Sequence, residues 1–75
     1  MNKEIKKIEL TNTTEGHSKW WTGTLFDDNS VVTEWGKIGS VNGSKEFPFA
    51  TTEEANVFLV KKSGEKIRKG YLPVS

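Results

Sequence analysis

The stretch Val31-Val32-Thr33-Glu34-Trp35-Gly36-Lys37-Ile38-Gly39 alternates as far as Lys37, with Val31, Thr33, Trp35 and Lys37 on one side and Val32, Glu34 and Gly36 on the other. A period of two predicts a β-strand, and here it sets an indole and an ammonium on one face. Glycine within a strand marks a bulge, or a place where another backbone or a ligand comes close. With no side chain at Gly36, access to the neighbouring Trp35 is expected to be open. A flat aromatic beside a flexible cation fits a ligand that has both a π-face and negative charge, and nucleic acid has both.

Upstream, residues 18–26 form a second predicted strand, with Trp20, Thr22, Thr24 and Phe26 on one side and Lys19, Trp21, Gly23 and Leu25 on the other. Adjacent tryptophans must therefore point to opposite faces. One of them belongs to the core; the other needs cover from the helix, a partner or nothing. Asp27-Asp28-Asn29 supplies turn chemistry between the two strands, so they read as a β-hairpin. Residues 4–11 place Ile8 and Leu10 opposite Lys7 and Glu9, a half-buried or edge strand with a basic start. Downstream, Asn42-Gly43 suits positive φ and a tight turn. Residues 44–49 then alternate Lys45, Phe47 and Phe49 against Ser44, Glu46 and Pro48. Proline cannot donate to a ladder, which puts this fourth strand at an edge.

The period then changes. Thr51-Thr52-Glu53-Glu54 is a capping-box sequence, and Glu53 and Glu54 suit the positive end of a helix dipole. A helix is expected to run through Ala55, Phe58 and Leu59 toward Lys69, with Gly70 as its left-handed stop and Pro73 beyond it. Phe58 and Leu59 are its expected contact with the sheet. Gly64 weakens the helix by about 1 kcal/mol relative to Ala and predicts a break or a close contact there. The fold class is thus α+β, a small antiparallel sheet of about four strands with one C-terminal helix packed on it.

At 75 residues the chain is expected to form one domain over 1–75, with a small core and marginal stability. The absence of Cys excludes a disulfide, a thiolate metal site and a Cys nucleophile. His17, the one histidine, stands in a polar loop with no second ligand at metal spacing. No metal or cofactor is expected. The first residues carry lysines but no apolar run behind them, and no stretch approaches the length needed to span a bilayer. A soluble cytoplasmic protein, with room for nucleoid association and no membrane partner, is the expectation.

A net charge of +1 is too small to argue for nucleic acid unless the charge is concentrated somewhere. It is concentrated: from Lys61 to Lys69 five cations stand against Glu65, a net +4, which leaves −3 for the rest of the chain. Cations in a last helical turn also answer the dipole and aid solubility. The competing assignment is a phosphate-facing edge made of Lys62, Lys66 and Lys69, joined by Lys45 of the fourth strand.

Taken in order, His17-Ser18-Lys19-Trp20-Trp21, Trp35-Gly36-Lys37-Ile38-Gly39, Thr51-Thr52-Glu53-Glu54-Ala55 and Lys66-Ile67-Arg68-Lys69-Gly70-Tyr71 resemble the WGR domain over about residues 16–71. The resemblance implies a small antiparallel sheet carrying one helix. It also implies the family's work, which in DNA-dependent poly(ADP-ribose) polymerases is to bind DNA near a break and relay that event to other domains; bacterial members sometimes stand alone. By this resemblance Trp35 is the signature tryptophan that stacks on a sugar or base at a DNA end, and Lys19 and Lys66 fall where basic residues are common. Tyr71 closes the motif as a packing residue. Lys37 replaces the signature Arg, and a point charge cannot reproduce the bidentate, stacked contacts of a guanidinium, although it still attracts phosphate.

The expected function is a non-catalytic nucleic-acid-binding module for DNA ends or nicks, with Trp35, Gly36, Lys37, Lys19, Lys45, Lys62, Lys66 and Lys69 as the binding residues. The alternative is a protein-interaction or regulatory module of the same type with no nucleic-acid binding of its own. An enzyme acting on a small-molecule substrate is not expected, because there is no nucleophile paired with a base and no Walker-type phosphate loop. The first assignment requires the basic residues to gather around Trp35.

Overall fold

The structure, a computed structural model, describes residues 3–16 and 18–74. His17 lies outside the described residues. Strands β1 (Glu4–Asn12), β2 (Lys19–Phe26), β3 (Ser30–Lys37) and β4 (Gly43–Pro48) precede helix α1 (Thr52–Arg68), and a short β5 (Leu72–Pro73) follows it. All pairings are antiparallel, in the order β4-β3-β2-β1-β5. The sheet thus has five strands rather than about four.

The extra strand changes the place of β1. β5 pairs with Leu10 and Thr11, so β1 is an inner strand there and an edge only over its earlier residues. Pro73 fits this outer position because it needs no donor on the solvent side; the following Val74 N–H donates to Glu9 O at 2.9 Å. Pro48 likewise ends β4 at the opposite edge.

Register assigns the two faces. Leu10, Trp21 and Trp35 lie in one cross-strand row, Ile8, Gly23, Thr33 and Lys45 in the next, and Leu25, Val31 and Phe47 in a third. This face carries α1. Leu10, Trp21, Leu25 and Val31 are buried there with Ala55 and Leu59 of the helix. Trp21 is therefore the core tryptophan, and Trp20 faces the other way.

Gly23 lets the helix come this close. A Cβ at that position would lie 2.5 Å from Leu59 Cδ1 and 2.7 Å from Trp21 Cη2, a spacing no side chain tolerates. Leu59 is fully buried, while Phe58 stands half-buried beside it, its ring 4.6 Å from Phe47 and 5.1 Å from Phe49.

The turns follow local chemistry. Asn29 takes φ 66°, one of the few residues that tolerates it, and Asp28 Oδ1 accepts from the Ser30 N–H at 3.1 Å. In the second hairpin the expected positive φ at Asn42-Gly43 is absent. Gly39 takes it instead, at φ 95°, inside a turn that the Ser40 N–H closes by donating to Lys37 O at 2.9 Å. At the helix start, the Glu54 N–H donates to Thr51 Oγ1 at 3.1 Å.

α1 is continuous through Gly64, and a Cβ there would meet no atom within 4 Å. Neither a break nor, among the described residues, a close contact occurs, so Gly64 acts on the fold through its helix penalty. Gly64→Ala is expected to raise stability by about 1 kcal/mol, measured as a higher denaturant midpoint at unchanged slope. Among the described residues no helix is long and apolar enough to cross a membrane.

Candidate nucleic-acid interface

The candidate site is built around the end of β3, where Trp35 and Lys37 share the face that carries α1. Trp35 pairs with Trp21 on one side and with Gly43 on the other, and it is 38% exposed where Trp21 is 3% exposed. Its indole lies against the backbone of β4. A Cβ at Gly43 would be 2.6 Å from Trp35 Cε2 and 2.8 Å from Nε1, so glycine at position 43 permits the ring to lie there.

Gly36 has another role than leaving room beside Trp35. It faces away from the helix, and a Cβ there would strike Ser40 O at 2.6 Å and Asn42 Oδ1 at 2.7 Å. Its missing side chain admits the 38–42 loop, which is then fixed from several directions. Trp20 Nε1 donates to Ser40 O at 2.7 Å and to Lys37 O at 3.0 Å, Asn42 Oδ1 accepts from the Lys37 N–H at 2.8 Å, and the Asn42 N–H donates to Trp35 O at 2.8 Å. Trp20, the tryptophan of the Trp20-Trp21 pair that faces away from the helix, thus braces the end of β3 from behind.

The helix C-terminus is set just as firmly. Gly70, at φ 104°, donates to Ile67 O at 3.1 Å, and the Tyr71 N–H reaches Lys66 O at 3.1 Å, the two bonds of a Schellman motif. Buried Asn12 accepts from Thr14 and donates through Nδ2 to Lys69 O at 3.5 Å. This closure turns Tyr71 back toward the sheet, where its ring lies 5.8 Å from Lys66 Nζ.

Two clefts result, one on each side of Trp35. A cleft of about 280 Å³ is lined by Lys19, Trp35, Gly36, Lys37, Asn42, Lys66 and Tyr71. Another of about 310 Å³ takes in Trp35, Lys45, Lys62, Glu65, Lys66 and Lys69 over a floor of Trp21, Thr33 and Phe47. Each residue singled out in the sequence lines one cleft or the other, and Trp35 and Lys66 line both. Register explains the sheet lysines, since Lys19 pairs with Lys37 and Thr33 with Lys45. Helical spacing explains Lys62, Lys66 and Lys69, which fall on the sheet side of α1.

Tyr71 and Asn42 were not singled out as ligand contacts. Tyr71 does pack on the core, as the motif implies, but it also walls the first cleft opposite Trp35. The Gly70-Tyr71 sequence, read as a Schellman closure that turns the next side chain inward, was the available signal.

Lys66 is the electrostatic centre. Partial burial pushes its pKa below the usual lysine value, and Lys69, Lys62 and Lys19 push it further down, against Glu65. Lys62 has a partial partner in Glu65 at 3.7 Å. Crowding four ammonium groups without enough carboxylate is unfavourable in the free protein, and an anion in the cleft relieves it.

The model of the WGR domain family matches residues 6–75. No curated protein and no solved structure matches the chain.

Proposed function

The chain belongs to the WGR family, whose members are nucleic-acid-binding modules, and from that premise we propose that it recognises DNA ends or breaks without catalysing a reaction. Trp35 offers a ring for a terminal sugar or base, and Lys19, Lys37 and Lys66 hold the adjoining phosphate. Lys45, Lys62 and Lys69 track the backbone beyond it. The observation that supports this reading most is the convergence of these six lysines on the two clefts that share the exposed Trp35.

The test is a titration of labelled duplexes with free ends, nicked duplexes, closed circles and single strands at low and moderate salt. Tighter binding to ended and nicked duplexes than to closed circles is expected. Equal affinity for circles would remove the end preference, and no binding to any of them would remove the function.

Salt and pH give two further expectations. Lys66→Gln is expected to weaken binding uniformly across sequences and to reduce the slope of log K against log salt by about 1; an unaltered slope takes Lys66 out of the site. For pH the sign follows from Lys66, whose pKa is lowered in the free protein and rises when a phosphate sits beside it. Binding then takes up a proton between the free and bound pKa values. Affinity is full below the free value and falls as pH rises through it. Lys66→Arg is expected to flatten this alkaline decline, and an identical decline in that variant assigns it to another group.

A further inference from the structure

We propose that two copies of this chain associate through the outward face of α1, antiparallel about a twofold axis. The sheet side of the helix buries Ala55, Leu59 and Ser63. On the other side Val57, Val60 and Ile67 are 66%, 50% and 46% exposed. With Gly64 their spacing is three, four, three, which lines one face of a helix and matches the seam of a helix pair. A face turned only to water carries charge instead.

Gly64 sits within this stripe with open space around it. Among the described residues, nothing packs against position 64 that requires a residue there that weakens the helix. A second helix does, because glycine leaves a notch for a facing side chain. An antiparallel twofold arrangement sets Val60 of one copy against Gly64 of the other and Val57 against the second copy's Ile67.

Charge selects that arrangement and makes the surface complementary to itself. α1 is acidic in its first turn, at Glu53 and Glu54, and basic in its last, at Lys66 and Arg68. Antiparallel pairing brings Glu54 toward the second copy's Arg68, twice over, whereas parallel pairing sets like charges side by side. Lys61 flanks the axis in both copies, a like-charge contact that keeps the association weak. Lys62, Lys66 and Lys69 lie on the other side of the helix, so the clefts around Trp35 stay open.

One helix face is a small interface, so a dissociation constant on the order of 100 µM is expected. Sedimentation velocity on the full chain without nucleic acid, from about 10 µM to about 1 mM, is the test. The mean mass is expected to rise toward that of a dimer. Val60→Glu, at an exposed position and checked for an unchanged circular dichroism spectrum, weakens association at least about tenfold. Lys61→Ala tightens it. Arg68→Glu weakens it, and Glu54→Lys added to the same chain restores it. A constant monomer mass over the range overturns the proposal. So does a dimer indifferent to Val60→Glu, or one that Arg68→Glu weakens and Glu54→Lys leaves weak.

Discussion

Leu59→Ala is expected to destabilise the protein by about 2–5 kcal/mol, enough to leave so small a domain partly or wholly unfolded. Leu59 has no exposed surface, and its Cδ1 occupies the space left by the absent side chain of Gly23. Truncation leaves a hole floored by strand backbone and Trp21, which cannot collapse to fill it. Phe58→Ala is expected to cost less, because that ring is half-buried and Phe47 and Phe49 can close over part of the gap. Thermal melts of the two variants decide the order, at roughly 4–8 °C per kcal/mol for a domain of this size. A Leu59→Ala midpoint equal to the parent's would mean that the helix does not dock through Gly23. Gly23→Ala then offers an independent check, since it builds an atom into the same contact from the opposite side.

What could be read from the sequence, and what could not, divides along a physical line. Alternation separated Trp20 from Trp21 and grouped Trp35 with Lys37, because side-chain direction in a strand is local. The Thr51 cap and the Gly70 stop were legible for the same reason. Contacts between distant segments were not. Gly43 reads as a turn residue, and only the register of β3 on β4 shows that it lies under the Trp35 indole. Gly36 reads as an opening for a ligand, yet the space is taken by Ser40 and Asn42. The two-residue β5 has no periodicity to detect, although it is what gives β1 a neighbour on that side. The lysines needed both levels. The sequence showed the concentration of cations between Lys61 and Lys69, and the packed helix, its end fixed by the Asn12 and Schellman contacts, shows that Lys62, Lys66 and Lys69 are the ones beside Trp35.

Trp35→Ala separates binding from folding most sharply. The indole is partly exposed, with one side against Gly43 and the clefts on either side of it, so its loss is expected to cost about 1 kcal/mol of stability. A core tryptophan would cost about 3–5 kcal/mol. Affinity for DNA ends is expected to fall by about 1–3 kcal/mol, the range for one stacked base, with the salt slope unchanged because no charge is lost. That last condition distinguishes a stacking ring from one that merely spaces the lysines, whose removal would alter the slope as well. Gly43→Val makes the complementary test. It keeps the indole but puts a branched side chain where the ring now lies, and Trp35 must tilt away from β4 or shift toward a cleft. A comparable loss of affinity is then expected with all three tryptophans present, accompanied by a change in tryptophan fluorescence. If Gly43→Val binds like the parent while its fluorescence shifts, the orientation of the ring is irrelevant to the ligand and Trp35 is not the stacking surface.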